Sequence, residues 1–92
     1  MAYATTPKAT QVAALAAATA TKAPAVAQAA RLLLKIYNDD TANSIFYGDA
    51  AVTALTGIPV APGGESEWIP CSGDIYVIST AGGSTVRTQE LA

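Results

Sequence analysis

Turn-forming residues recur at short intervals through the last two-thirds of this 92-residue chain. From residue 38 onward a reversal recurs about every eight to twelve residues. Each is built from residues that favour turns: NDD at 38–40, LTG at 55–57, PGG at 62–64, CSGD at 71–74 and AGGS at 81–84. Short strands separated in this way are typical of a small β-sandwich or barrel. The spacing therefore predicts an all-β fold, an antiparallel β-sandwich or barrel of about six to eight short strands.

The segments between these turns alternate apolar and polar residues, as half-buried strands do. RLLLKIYN places every second side chain on one face: Leu32, Leu34 and Ile36. NSIFYG follows the NDD turn, so the two segments are expected to pair as a hairpin. In GIPVA, Pro59 restricts the strand to a sheet edge or a strand end. The other segments predicted as strands are AAVTA, ESEWI, IYVIS and TVRTQE.

Residues 1–30 have a different composition, dominated by alanine and threonine. Alanine favours a helix. However, Val12 and Leu15 are the only large apolar residues in the stretch that would form it, too few for an amphipathic face. We expect an N-terminal arm over residues 1–30, extended or partly helical, that orders against a partner. Residues 31–92 form the β-sandwich body.

A body of this size is marginally stable alone and commonly needs a disulfide, a metal or a partner subunit. One cysteine and no histidine leave neither an internal disulfide nor the usual zinc ligand sets. A homo-oligomer, or docking on a larger particle, is therefore expected. The net charge of −2 and the scattered basic residues argue against nucleic-acid binding. The longest apolar run is too short to span a membrane.

Catalytic chemistry has little support in the residue types present. Without histidine, the chain cannot form Ser-His or Cys-His nucleophile pairs. The PGG turn lacks the glycine spacing and the lysine of a phosphate-binding loop. Asp39 and Asp40, with Asn38 and Asn43, offer oxygens that calcium accepts, but a solvated turn is the simpler interpretation. We predict no catalytic residue, no cofactor and no metal site.

Large apolar and aromatic side chains are the candidates for an interface: Val12, Leu15, Val26, Leu33, Tyr37 and Trp68. Trp68 is the only tryptophan, and it either fills the core or anchors an interface, where tryptophan is enriched. Glu65 and Glu67 share one face of their segment, which suits a polar outer face or a salt link to Arg87. Cys71 is predicted to be a small apolar filler beside a turn.

The order of the motifs over residues 31–90 resembles a family of small bacteriophage virion proteins. The segments that carry this resemblance are RLLLKIYND, IFYGD, AVTA, TGIPVAPGGES, CSGDIYVIS and TVRTQE. The resemblance implies a β-sandwich structural module, found on capsid surfaces and in tail or fibre parts, with no catalytic residues to carry over. Residues 1–30 lie outside the resemblance.

On this basis we expect a non-enzymatic virion structural protein. The first interpretation is a capsid decoration (cement) protein on the outer capsid surface, an oligomer that binds the major capsid protein or other virion proteins and stabilises the head. The second is a neck, tail or fibre component built on the same module. The third is a carbohydrate-binding β-module in which Trp68 and one of Tyr37, Tyr47 or Tyr76 form a stacking surface.

Overall fold

The computed structural model describes residues 11–16, 18–80 and 84–92. Within these residues the chain forms eight strands: β1 (Gln11–Ala14), β2 (Thr21–Lys22), β3 (Leu33–Asn38), β4 (Ile45–Gly48), β5 (Ile58–Val60), β6 (Ile69–Pro70), β7 (Tyr76–Ile78) and β8 (Thr85–Leu91). They make two four-stranded antiparallel sheets, with strand orders β1-β8-β3-β6 and β2-β7-β4-β5. The prediction of a small all-β sandwich is confirmed.

The core lies between the two sheets and receives alternate side chains from their strands. The first sheet contributes Leu34, Ile36 and Val86, and the second contributes Ile45, Val60 and Val77. Burying one such side chain stabilises the fold by about 1.5–3 kcal/mol. The predicted inward face of β3 is thus confirmed at Leu34 and Ile36. Leu32, the third residue predicted for that face, precedes the strand and is partly exposed.

The predicted hairpin between the third and fourth strands is wrong, because β3 and β4 belong to different sheets. β3 pairs with β8 along its whole length, whereas β4 pairs with β5 and β7. The NDD turn is a crossover between the sheets. Buried Asn38 holds it, donating from Nδ2 to the carbonyls of Asn43 (2.9 Å) and Val60 (3.0 Å). Period-two alternation identifies the face of a residue but not the strand beside it, so the sequence could not distinguish a hairpin from a crossover.

Residues 11–16 and 18–30 contribute two strands to the sandwich, whereas the sequence predicted an arm over residues 1–30. β1 pairs with β8 and β2 with β7, so each completes one edge of a sheet. Leu15 and Ala23 lie in the core. Main-chain hydrogen bonds explain the difference, since an Ala/Thr segment with few large side chains can still add a strand to a sheet. Residues 1–10 lie outside the described residues.

The other predicted segments have different outcomes. AAVTA is a turn region instead of a strand, and ESEWI is extended only over β6 and at an isolated bridge between Glu65 and Tyr37. The PGG turn is confirmed, with Gly63 at φ +69° and the Gly64 amide donating to the Ala61 carbonyl (2.8 Å). Pro59 lies on the edge strand β5, as predicted. Of the AGGS turn, residues 81–83 lie outside the described residues.

A buried ion pair joins three parts of the chain that are distant in sequence. Arg31 Nη1 lies 3.0 Å from Glu90 Oε2, and both side chains are almost fully buried. The Arg31 guanidinium also donates to the carbonyls of Cys71 (2.9 Å, from Nε) and Gly73 (from Nη2). The same Glu90 oxygen accepts the backbone N–H of Gln28 (2.9 Å). Glu90 therefore holds the segment before β3 and, through Arg31, the loop after β6.

Removing one charge of this pair should destabilise the protein strongly. In Glu90→Gln the guanidinium stays buried without a counter-charge, and we expect the free energy of unfolding to fall by about 3–5 kcal/mol. Glu65→Gln is the matched control, because Glu65 forms an exposed pair with Lys35 and such pairs contribute about 0–1 kcal/mol. Urea unfolding of both variants makes the comparison. Equal losses would show that the buried pair has no special role.

Candidate functional site

The outward face of the first sheet carries three cross-strand pairs. Because alternate residues of β3 and β8 point inward, the residues between them face outward. The register places these residues opposite one another: Leu33 with Leu91, Lys35 with Gln89, and Tyr37 with Arg87. We call this surface, together with Trp68 just before β6, the platform. It presents aromatic, aliphatic and cationic side chains on a hydrogen-bonded sheet.

Trp68 lies on the platform and not in the core, with 38% of the residue exposed. Lys35 Nζ is 5.1 Å from the centroid of the Trp68 ring and 6.0 Å from that of Tyr37. A cation near an aromatic face at an exposed site contributes about 0.5–1 kcal/mol. Glu65 Oε1 also contacts the ammonium, at 3.1 Å. These contacts hold the tryptophan, the lysine and the tyrosine in one fixed arrangement.

Ion pairs at the margins balance the two cations of the platform. Lys35 pairs with Glu65, and Arg87 pairs with Asp39. The salt link considered between Glu65 and Arg87 is therefore not formed. Because exposed pairs contribute little to stability, their main effect is to orient the long side chains. The platform consequently presents apolar and aromatic surface with nearly balanced charge.

The six residues predicted for an interface fall in different places. Leu33, Tyr37 and Trp68 come together on the platform. In the register, Val12 lies in β1 opposite Arg87, one strand from Tyr37. Val26 is 67% exposed on the loop after β2. Leu15 is 3% exposed in the core, so this candidate is corrected: it fills the space between the sheets and offers almost no surface to a partner.

A second candidate surface is a cleft of about 430 Å³ beside β4 and β5. Its lining consists of Tyr47, Gly48, Asp49, Ala51, Val52, Thr56 and Ile58. Burial, together with the negative charge of Glu67, raises the pKa of the Tyr47 phenol. No lysine or arginine lines the cleft. We refer to it below as the cleft.

The turn beside the cleft begins earlier than predicted: a turn was expected at LTG (55–57), but Thr53 and Ala54, interpreted as the end of the AAVTA strand, belong to it. Thr53 Oγ1 accepts from the backbone N–H groups of Leu55 and Thr56 (both 3.2 Å), and Thr56 Oγ1 accepts from the Thr53 N–H (3.0 Å). Hydroxyl-to-backbone bonds of this kind form local turns. The signal in the sequence was TALTG, two threonines three residues apart followed by glycine. The turn leaves Leu55 96% exposed.

Asp40, one of the carboxylates considered for calcium, is saturated by hydrogen bonds from the chain itself. Its donors are the Ser84 hydroxyl (2.7 Å), the Ala42 and Asn43 N–H groups, and Asn43 Nδ2. These bonds, that of Ser84 first, hold the pKa of the Asp40 carboxyl well below its usual range. The Ser84 hydroxyl in turn contacts that of buried Ser79 (3.0 Å). Asp40 thus stabilises the crossover loop against the start of β8.

The described residues, 11–16, 18–80 and 84–92, form neither of two general kinds of site. Among them, no group of three or more His, Cys, Asp or Glu side chains is arranged to hold a metal ion. Nor does that part of the chain contain a helix with the length and apolar character of a membrane span. Comparison with protein-family models, with curated proteins and with solved structures finds no match to this chain.

The lowered pKa of Asp40 predicts a pH dependence of stability. The unfolded carboxyl binds a proton near pH 3.8, the folded one only at lower pH, so between these values the unfolded state binds more protons. The stability from Asp40 is therefore complete above about pH 5 and is lost as the pH falls through 4 toward 2. Thermal unfolding from pH 6 to 2 should show a shallower acid loss for Asp40→Asn than for the wild type. Parallel curves would contradict this role.

Proposed function

We propose that the chain is a non-enzymatic structural protein of a bacteriophage virion. In this proposal it is a decoration protein on the outer capsid surface that binds the major capsid protein and stabilises the head. The resemblance of residues 31–90 to small virion proteins supports the class. The platform supports binding to another protein and carries the proposal, because it groups Leu33, Tyr37 and Trp68 on one outward sheet face.

The composition of the platform suits a protein partner. Tryptophan, tyrosine and arginine are the residues that contribute most binding energy at interfaces, and all three occur here. Tyr37 and Arg87 lie on paired strands, Trp68 directly precedes β6, and Lys35 lies near both rings, so part of their freedom is already lost before binding. The pairs Lys35–Glu65 and Arg87–Asp39 add polar groups among these side chains. Interfaces combine aromatic side chains and arginine with polar groups of this kind.

Decoration also agrees with the small size of the protein. A small sandwich of short strands buries a limited core, so added contacts with neighbours stabilise it appreciably. On a capsid the same binding site repeats many times. A homo-oligomer would then engage several shell subunits at once and bind far more tightly than one copy alone.

Electron cryo-microscopy of particles produced from a genome that encodes this chain tests the proposal. We expect hundreds of copies on the outer shell, with the platform facing the capsid. Trp68→Ala should sharply lower the copy number while the free protein stays folded, since the side chain is partly exposed. Tyr76→Ala is the matched control, because it removes a partly exposed aromatic from the second sheet. A few copies at the neck, tail or fibre would favour that alternative, and absence from the particle would contradict the proposal.

A carbohydrate-binding module is the second candidate, favoured by one observation. Trp68 and Tyr37 both lie against Lys35, so two stacking surfaces flank a hydrogen-bond donor. Tyr47 and Tyr76 belong to the second sheet and do not extend this surface. Because Trp68 is the only tryptophan, its fluorescence reports directly on glycan binding. A saturable change with a glycan, abolished in Tyr37→Ala, would favour this candidate over decoration.

A further inference from the structure

Leu55 is an apolar side chain that the fold presents to its surroundings. It is 96% exposed, although hydrogen bonds to Thr53 and Thr56 hold the turn on both sides of it. Ile58, 55% exposed, follows on β5 and lines the adjacent cleft. A single exposed leucine is common, but Leu55 and Ile58 together place two exposed apolar side chains beside one cleft, which favours a protein contact there.

We expect a partner at this edge to be bound mainly by side-chain contacts and not by main-chain hydrogen bonds along β5. β5 is the edge strand of its sheet and contains Pro59, which has no N–H to donate to an added strand. The cleft lining includes a carboxylate, Asp49, and no basic residue. The negative charge of Glu67 also reaches this lining, where it contributes to the raised pKa of Tyr47. The contact therefore fits a partner with a cation beside small or apolar groups.

The chain itself carries such a cation on the opposite edge of the same sheet. The described basic residues are Lys22, Arg31, Lys35 and Arg87. Three of them form ion pairs, whereas Lys22, exposed on β2, forms none with the described residues. Asp49 likewise forms no ion pair within the described part of the chain. Within the described residues, the sheet thus has a lysine at one edge and an aspartate near the other that form no ion pair.

Strand order makes these two edges compatible between copies. In the order β2-β7-β4-β5 each neighbour is antiparallel, so β2 and β5 run in opposite directions. A second copy in the same orientation places its β2 antiparallel to the β5 edge of the first. Such a contact joins two different surfaces, and repetition of it builds a ring when the rotation closes.

We propose that copies of this chain associate head to tail. The β2 edge of one copy docks at the cleft and Leu55 of the next, with Lys22 of the first beside Asp49 of the second. The oligomer included in the proposed function is the only part of that function on which this inference rests. The platform and this contact use different residues, so the two can be tested separately.

The test exchanges the two charges and measures self-association by sedimentation velocity. The wild type should form oligomers with increasing concentration. Lys22→Glu and Asp49→Lys should each weaken association at least about tenfold, because like charges then meet. A mixture of these two variants should associate again. The glutamate on the β2 edge of Lys22→Glu then lies beside the lysine in the cleft of Asp49→Lys. The other contact, Lys22 of Asp49→Lys beside Asp49 of Lys22→Glu, is that of the wild type. Leu55→Ser should weaken association without loss of folding, because that side chain is almost entirely exposed.

Asp74→Lys is the control, since Asp74 is exposed and does not line the cleft. It should associate as the wild type does. A wild type that stays monomeric, a mixture no stronger than its components, or an Asp74→Lys defect equal to that of Asp49→Lys would each overturn the inference. The measurement uses no capsid, so its outcome is separate from the effect of Trp68→Ala on particle binding.

Discussion

The buried pair of Arg31 and Glu90 is the constraint on which the arrangement of the strands depends. Two charges removed from water are costly unless each is fully paired, and here the partners come from several segments. The Gln28 N–H and the Arg31 guanidinium donate to one carboxylate of β8, and the same guanidinium donates to the carbonyls of Cys71 and Gly73. This geometry forms only when the N-terminal segment, the loop after β6 and β8 are all in place.

The same pair determines which side chains reach the surface. Glu90 points inward together with Val86 and Thr88, so Arg87 and Gln89 face outward. A slip of one residue in the register of β8 would bring Glu90 to the surface and Arg87 into the core. Because Tyr37 stands opposite Arg87, the platform depends on that register. The stability of the interior and the shape of the proposed binding surface thus follow from one strand alignment.

The sequence predicted the class of fold and several local features, since these depend on neighbouring residues. Alternation in RLLLKIYN identified the inward and outward faces of β3, and PGG identified a turn with positive φ at Gly63. Strand neighbours could not be predicted, because pairing of β3 with β8 joins residues that are distant in sequence. The strand role of residues 11–14 was missed for a related reason, as backbone pairing leaves no strong side-chain pattern.

For the candidate site, alternation along β3 was enough to place Leu33 and Tyr37 on one face. The approach of Trp68 to Lys35 could not be predicted, because it depends on the pairing of β6 with β3. Glu90 did leave a signal, because alternation from Val86 in TVRTQEL directs it inward, where it needs a partner.

Native-state hydrogen exchange of the full chain tests most directly whether residues 11–30 are part of the sandwich. The amides of Leu15, Ala18 and Ala23 donate to carbonyls of Ser84, Ser79 and Ile75, and that of Gln28 donates to Glu90. We expect these four amides to exchange as slowly as that of Ile36 in β3, within about tenfold, since cooperative units open together. Exchange at the rate of an unfolded peptide, with Ile36 still protected, would contradict the account.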